Sequence, residues 1–306
     1  MTAAVATVRG VVKTFGDVAA LRDVTFELQE HRIHGLLGRN GAGKTTMMQI
    51  LTGQAWQDAG DVKVFGARPF ENATVLRDVC FVKESQKYPE DFTVGQVLSS
   101  AATVMRDWDE DFARRLTDDF ELPRKRKVKK LSRGMTSALG VVVGLASRAP
   151  LTLFDEPYLG LDAVARQMFY DHLLADFAEH PRTVVLSTHL IDEVSELVDR
   201  VVVISDGTVV VDDDAENLRG RAVTIGGSTD AVQRLVADRA VLHRESFGSM
   251  ARTTVVGPLT EADLDRVAAD GLAVEPVSLQ QFVVHCTSRG RATLPAVSDT
   301  REDVPS

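Results

Sequence analysis

One short segment combines glycines, a lysine and threonines at the spacing of a phosphate-binding loop. Glycines let backbone N–H groups turn inward and approach phosphate oxygens closely. Lys44 would bring a positive charge to the β- and γ-phosphates of a nucleotide, and the Thr45 hydroxyl could ligate Mg²⁺. The spacing therefore predicts nucleotide binding, with a glycine-rich turn that holds no ligand as the alternative. The segment consists of Gly38, Arg39, Asn40, Gly41, Ala42, Gly43, Lys44, Thr45 and Thr46.

The residues on either side of this segment predict the strand and the helix that such a loop requires. Residues 33–37 are mostly apolar, which is typical of a buried strand. Residues 46–51 are predicted to form a helix, whose N-terminus would face the phosphates and favour their negative charge. The motif indicates phosphate binding only when it follows a strand and precedes a helix, and both are predicted here.

Two further apolar runs end in residues that can do chemistry. Residues 151–154 form such a run and are followed by Asp155 and Glu156. The paired carboxylates are expected at the carboxyl edge of the sheet, where α/β proteins bind ligands. Surface acids that merely end a strand are the alternative. Residues 184–188 predict a similar strand, which is followed by His189.

An aromatic residue and a basic run each leave two interpretations open. Phe15 lies in a turn between the antiparallel strands predicted over residues 5–28. Its ring either packs loosely or stacks on adenine, and the phosphate loop downstream favours stacking. The basic run at residues 124–130 is typical of a solvated connection. A nucleic-acid or anionic-lipid patch is the alternative, although the run lacks the interleaved aromatics of such patches.

The remaining pattern predicts an α/β protein with a helical insertion and a small appendage. Residues 88–147 form the insertion, with Thr93 as the cap of one helix. Residues 201–211 predict a hairpin around an Asp-Gly turn. The predicted bounds are 5–220 for an α/β domain, 221–288 for a small α/β accessory domain and 289–306 for a disordered tail.

The composition is that of a globular protein, and it argues against nucleic acid or a membrane as a direct partner. The formal charge of −9 over 306 residues gives no support for nucleic acid as the main partner. The two cysteines have neither metal nor disulfide-framework spacing, which favours a reducing cytoplasm. No apolar run approaches the ~20 residues of a membrane span, and the N-terminus lacks the pattern of a signal peptide. We therefore expect contact with a membrane only through a partner chain.

In order and spacing, these motifs resemble those of the ATP-binding cassette (ABC) ATPases, specifically the nucleotide-binding subunit of a bacterial export-type ABC transporter. The resemblance covers about residues 5–218. It implies a P-loop NTPase cassette with a mixed sheet core, an antiparallel β subdomain and an α-helical insertion. It also implies ATP and Mg²⁺ as cofactors, with ATP hydrolysis coupled to transport as the activity.

The resemblance implies a catalytic set. Glu156 would be the general base that polarises the water attacking the γ-phosphate. His189 would contact that phosphate, and Lys44 would neutralise charge on it. Asp155, together with Thr45, would hold Mg²⁺.

The resemblance also implies nucleotide contacts, one of them at a position that departs from the family's pattern. Phe15 would stack on adenine, and residues 38–46 would bind the phosphates. Glu84 occupies the place of the usual glutamine that senses Mg²⁺ and couples to the membrane partner. A glutamate oxygen can still ligate Mg²⁺, but it adds a negative charge. Gln86 is the alternative for this role.

A segment around Ser132 resembles the signature sequence that names the family, with departures at Arg133 and Met135. The Ser132 hydroxyl and the Gly134 N–H would bind the γ-phosphate of an ATP held by the opposite subunit. Met135 lies beside them in this nucleotide contact but cannot make a glutamine's hydrogen bonds. Asp162 belongs to a loop that would carry contacts across the dimer interface.

The resemblance implies a cassette dimer, formed with a second copy or a paralogue, on the cytoplasmic face of the cell membrane. A separately encoded transmembrane permease would be its partner. One alternative is an ABC ATPase of DNA repair, cluster assembly or translation, although the long coiled coils or second cassette of such proteins are not visible. The other alternative is a regulator that binds ATP without hydrolysis, against which Glu156 and His189 argue.

Overall fold

The chain divides between Glu216 and Asn217 into two units in the computed structural model, which describes residues 3–84 and 86–288. In the first unit the strands are β1 (Ala4–Phe15), β2 (Val18–Gln29), β3 (Ile33–Leu37), β4 (Ala59–Val64), β5 (Val79–Val82), β6 (Leu151–Asp155), β7 (Thr183–Thr188), β8 (Arg200–Ser205) and β9 (Thr208–Asp214). Its helices are α1 (Lys44–Leu51), α2 (Ala73–Leu76), α3 (Val94–Val104), α4 (Glu110–Asp119), α5 (Arg133–Ala146), α6 (Ala163–Glu179) and α7 (Ile191–Val194), and the short helix α8 (Ala215–Leu218) includes the point of division.

A six-stranded mixed sheet positions the chemistry-bearing residues. Its strand order is β5-β6-β7-β3-β8-β9, and all neighbours are parallel except β8 and β9. The parallel strands β3, β6 and β7 are buried along their whole length, as their apolar runs predict. Because their carboxyl ends meet at one edge, the residues that follow each strand are brought together there.

The predicted hairpin around Asp206 and Gly207 is confirmed as β8 and β9. Both turn residues have positive φ, 48° and 76°, as a tight type I′ turn requires.

An antiparallel sheet of order β2-β1-β4 shares its core with the mixed sheet. Val11 and Leu21 of the antiparallel sheet, Met47 and Leu51 of α1, and Leu153 of β6 belong to the same cluster of buried residues. Burying each such side chain contributes about 1.5–3 kcal/mol. The helix that follows the phosphate loop is therefore held by packing on both sheets. The predicted combination of a mixed sheet core with an antiparallel β subdomain is confirmed.

The helical insertion contains α3, α4, a 3₁₀ turn at Val128–Lys130, and α5. Thr93 caps α3 in a full capping box: its hydroxyl accepts from the Gln96 N–H at 3.2 Å, and the Gln96 side chain accepts from the Thr93 N–H at 2.8 Å. The basic run is tied down on the surface, since Lys129 lies 2.7 Å from Asp91. Most residues of the run are exposed, as the predicted solvated connection requires.

The second unit contains the strands β10 (Ala222–Ser228), β11 (Val241–Phe247), β12 (Met250–Val256) and β13 (Ala273–Pro276), and the helices α9 (Thr229–Leu235), α10 (Glu261–Ala269) and α11 (Leu279–Ser288). Its sheet is antiparallel, in the order β11-β12-β10-β13. Ile225 and Val255 are fully buried in its core. That the two units are separate domains with bounds 5–220 and 221–288 stays a prediction. The predicted disordered tail lies outside the described residues.

Among the helices that the structure describes, none combines the length and the apolar character that crossing a bilayer requires.

Candidate functional site

The phosphate loop joins β3 to α1 and depends on glycine at two places. Gly38 and Gly43 have φ of 149° and 112°, and side-chain carbons there would lie 2.2 Å from the Ile204 carbonyl oxygen and 2.6 Å from that of Ala20. Gly43 is also the N-cap of α1, and no described side chain caps that helix. Its first N–H groups therefore remain as donors for an anion at the helix N-terminus.

A cavity of about 490 Å³ opens in front of this loop and is called here the phosphate-loop cavity. Its size is in the range of small-ligand sites. The walls combine backbone donors and charged side chains that the sequence placed far apart. Among the residues that line it are Asn40, Lys44, Thr45, Glu84, Asp155 and Glu156.

Thr45 and Asp155 form the part of this cavity that suits a divalent cation. The Thr45 hydroxyl donates to Asp155 Oδ2 at 2.7 Å. Asp155 Oδ1 is buried and has no hydrogen-bond partner among the described residues, which is costly for a carboxylate unless a ligand supplies one. Mg²⁺ is usually held by one or two carboxylates together with substrate phosphates. This donor set therefore fits Mg²⁺ that arrives with a nucleotide.

Lys44 and Glu156 meet at the buried end of the cavity. Lys44 Nζ donates to the carbonyl oxygen of Gly38 at 2.8 Å and lies 3.6 Å from Glu156 Oε1. That carboxylate oxygen is buried and has no hydrogen-bond partner in the described part of the chain. The cavity thus holds a lysine charge beside a carboxylate oxygen that is available as an acceptor.

Glu156 uses its other oxygen to contact residues that follow β6 and β7. His189 Nδ1 lies 2.9 Å from Glu156 Oε2, and the Tyr158 hydroxyl donates to the same oxygen. Tyr158 is buried, and this burial raises the pKa of its hydroxyl, so the group stays protonated. Tyr158 is not among the residues predicted from the sequence. A hydroxyl-bearing aromatic two residues beyond Glu156 was the available signal.

Phe15 ends β1 and is half exposed, at 51%. Lys13 Nζ lies 5.3 Å from the ring centroids of both Phe15 and Trp56 and pairs with Asp58 at 2.8 Å. This hydrogen bond from Lys13 lowers the pKa of the Asp58 carboxyl. The Phe15 ring thus retains exposed area on which a flat base could stack.

The cavity also includes residues that were not predicted from the sequence to belong to the site. Arg22 lines it from β2, and Asp206 and Gly207 line it from the hairpin turn. Gly207 links these elements: its N–H donates to the Ala42 carbonyl at 3.1 Å, and its carbonyl accepts from the Arg22 N–H at 2.7 Å. Only the fold brings these three residues to the loop, so no local pattern marks them.

The signature residues lie in a separate cavity of about 510 Å³, called here the signature cavity. The Ser132 hydroxyl accepts from the Met135 N–H at 3.1 Å and thereby caps α5. A side-chain carbon at Gly134 would lie 2.8 Å from the Gly160 carbonyl oxygen, so this contact requires glycine. Residues of this cavity include Ser132, Gly134, Met135, Gly160, Leu161 and Asp162.

Glu84 and Gln86 are the two predicted alternatives for the Mg²⁺-sensing residue, and of the two only Glu84 lines the phosphate-loop cavity. Glu84 lines the phosphate-loop cavity and also a neighbouring cleft, whereas Gln86 is among the residues of that cleft. Arg133 Nη2 is 3.8 Å from Glu84 Oε1, so two of the three departures from the expected pattern face each other. This geometry favours Glu84 over Gln86.

Comparisons with known proteins agree with this geometry. The family model described as "ABC transporter" matches residues 21–159. The chain is 32% identical to the doxorubicin resistance ATP-binding protein DrrA of Mycobacterium tuberculosis, over 70% of this chain and 67% of that protein. It is 29% identical to the Nod factor export ATP-binding protein I of a Bradyrhizobium species, over 74% and 78%. A dimeric post-hydrolysis structure of the cassette MJ0796 with ADP and phosphate has the same fold, with a TM-score of 0.61 and 22% identity over 69% of this chain and 98% of that one.

Proposed function

Since the chain belongs to the ATP-binding proteins of ABC transporters, a family of ATPases, we propose that it hydrolyses MgATP in a cassette pair that drives a separate transmembrane permease. The roles of the residues are assigned because their side chains meet at one edge of the mixed sheet. Glu156 contacts both Lys44 and His189 there, beside the Thr45–Asp155 pair. The alternative of an ABC ATPase outside transport has no support from these relatives.

The N-terminus of α1 and Lys44 bind the phosphates in this proposal. Loop N–H groups and the lysine charge offset the negative charge that phosphoryl transfer spreads over the γ-phosphate oxygens. Lys44 must leave its bond to the Gly38 carbonyl to reach the phosphates, and it can do so because its side chain is long and unbranched. Phe15 stacks on the adenine ring.

Thr45 and Asp155 would hold Mg²⁺, with Glu84 at the rim of the cavity. The ion would supply positive charge that offsets the negative charge of the phosphates.

Glu156 acts as the general base. Its free oxygen, Oε1, accepts a hydrogen bond from the attacking water and orients it toward the γ-phosphate. His189 contacts Glu156 through Nδ1, so Nε2 is the ring atom for a phosphate oxygen, and donation from both nitrogens requires the doubly protonated ring. The protein thus supplies position and charge, which is most of what phosphoryl transfer requires.

A second copy of a cassette completes the site. In one copy the signature cavity is separate from the phosphate-loop cavity, so Ser132 and Gly134 need another copy's ATP as their ligand. Both residues lie at the start of α5, where a helix N-terminus favours phosphate. The dimer of MJ0796 bound to ADP and phosphate supports this arrangement by analogy.

The proposal includes export as the direction of transport and a separately encoded permease as the partner. The relative named for Nod factor export supports export. A permease encoded separately would place the cassette at the cytoplasmic face of the membrane. Closure of the pair would reach the permease through the helical insertion.

The test compares Glu156→Gln with wild type and with Glu179→Gln, which makes the same chemical change at an exposed end of α6. We expect Glu156→Gln to keep ATP affinity and to lower hydrolysis by roughly a hundredfold or more, because general-base catalysis contributes ~10²–10⁴. The bound ATP should then trap a dimer, visible by light scattering. Glu179→Gln should match wild type.

Normal hydrolysis by Glu156→Gln would remove Glu156 as the base. Chains that stay monomeric with ATP in both wild type and Glu156→Gln would contradict the cassette pair.

A further inference from the structure

Tyr158 is a buried tyrosine whose hydroxyl lies among groups of the proposed catalytic set. It belongs to the turn that follows β6, in which the Leu159 N–H donates to the Glu156 carbonyl at 3.1 Å. The residue is 2% exposed, and its hydroxyl contacts Glu156, Thr188 and His189. In the proposed mechanism Glu156 and His189 act directly, whereas Tyr158 has no assigned role.

The hydrogen-bond directions in this cluster follow from the number of protons. The Thr188 hydroxyl accepts from the Leu190 N–H at 2.8 Å and donates its single proton to the Tyr158 oxygen at 2.8 Å. The Tyr158 proton then goes to Glu156 Oε2, because an ionised carboxylate only accepts. His189 Nδ1 lies 2.9 Å from the same carboxylate oxygen and must carry a proton to donate to it, because an ionised carboxylate only accepts.

This chain of donors fixes one oxygen of Glu156 and leaves the other free. Oε2 receives the Tyr158 and His189 hydrogen bonds, whereas Oε1 faces Lys44 at 3.6 Å. The Glu156 backbone has φ of 50°, a conformation that a non-glycine residue adopts at a cost and keeps only where its surroundings hold it. The position of Glu156 is thus fixed both by its backbone conformation and by the hydrogen bonds to Oε2.

We infer that Tyr158 is a positioning residue for ATP hydrolysis, because its hydroxyl holds Glu156 Oε2 and so turns Oε1 toward the phosphates. The inference rests on the proposed role of Glu156 as the base. Tyr158 touches neither the nucleotide nor the water in this arrangement and acts through the carboxylate. Loss of its hydroxyl should therefore affect the chemical step and leave ATP binding unchanged.

The test is Tyr158→Phe in the full chain, which removes only the hydroxyl. We expect kcat to fall by about tenfold or more, since hydrogen bonds to charged groups are the strong ones and misplacing a catalytic group is costly. KM and the directly measured ATP affinity should stay within about twofold. The matched control is Tyr170→Phe, since Tyr170 is also buried and its hydroxyl lies 3.4 Å from another carboxylate, that of Glu193.

A wild-type or raised kcat in Tyr158→Phe would overturn the inference, as would a parallel loss of kcat and ATP affinity. An equal loss in Tyr170→Phe would overturn it too, since the effect would then be one of packing. Glu156→Gln, measured alongside, separates the two proposals. If Glu156→Gln is inactive and Tyr158→Phe is normal, only the role of Tyr158 fails; if Glu156→Gln is active, the role of the base itself fails.

Discussion

The phosphate-loop cavity and the signature cavity belong to the same unit, yet they differ in how their polar groups are bonded. In the phosphate-loop cavity the functional side chains contact one another: Lys44 faces Glu156, and the Thr45 hydroxyl donates to Asp155. In the signature cavity Ser132 and Asp162 are exposed, and each caps the helix that follows it. The first cavity is thus lined by a network of buried charged side chains, whereas the second is lined by two exposed residues that cap helices.

In the proposed function, this difference corresponds to chemistry in one cavity and completion of the site by a second copy at the other. Bonds within the charge network position Glu156 before any second copy arrives. A cap such as Ser132 uses an oxygen lone pair for its own helix and leaves the O–H as a donor for another molecule's anion. Changes in the signature cavity should therefore spare ATP binding by a single copy and affect only pairing and turnover.

The largest effect is expected for Ser132→Asp. Aspartate caps a helix as well as serine does, so the start of α5 keeps its N-cap and its stability. The added carboxylate would face the γ-phosphate of the opposite copy, and like charges at such an interface are strongly unfavourable. We expect hydrolysis and ATP-driven dimerisation to fall by roughly a hundredfold or more, with unchanged ATP affinity of the monomer.

The control for this variant is Ser99→Asp, an equal change at an exposed position of α3. Light scattering with ATP measures pairing, and equilibrium titration of the monomer measures affinity. Wild-type pairing by Ser132→Asp would show that Ser132 serves only its own helix.

A smaller effect is expected for Phe15→Ala, at the end of β1. Stacking of a base on an aromatic ring contributes ~1–3 kcal/mol, so ATP affinity should weaken by about tenfold. Phe70→Ala is the control, because Phe70 is another partly exposed aromatic, at 38%. Titration with ATP and with inorganic triphosphate separates stacking from charge: the loss should appear for ATP alone. A similar loss for triphosphate would mean that Phe15 supports the loop and does not bind the base.

The charge network was largely predictable because it depends on strand ends. The runs before Lys44, Asp155 and His189 are apolar enough to be central parallel strands, and such strands end at one sheet edge. Thr93 was predictable for a similar reason, since capping is a local matter.

Tyr158 and Gly207 were not predictable in this way. The Tyr158 hydroxyl returns to Glu156 only because the chain turns directly after β6 and because Thr188 ends the adjacent strand. Gly207 reaches the loop through bonds to residues more than a hundred positions away. Such contacts depend on tertiary geometry that neither spacing nor composition encodes.

The smallest effect concerns the ion pair between Glu84 and Arg133, which links the rim of the phosphate-loop cavity to the signature helix. Their side chains are 48% and 75% exposed, and the charged atoms are 3.8 Å apart. Solvent screens such a pair, so a double-mutant cycle of Glu84→Gln and Arg133→Gln on the free energy of unfolding should give a coupling of ~0.5 kcal/mol or less.

ATP binding distinguishes the partners of this pair more sharply than stability does. If Glu84 senses Mg²⁺, Glu84→Gln should change MgATP affinity by about twofold to threefold and leave affinity for ATP in EDTA unchanged, since oxygen ligands of Mg²⁺ lose strength with their charge. Arg133→Gln and Gln86→Ala should leave both affinities unchanged. A Mg²⁺-dependent loss in Gln86→Ala, with none in Glu84→Gln, would move the metal-sensing position to Gln86. A coupling well above 1 kcal/mol would mean that the two cavities are already linked within one copy, and their contrast would then be weaker than their separate hydrogen bonds indicate.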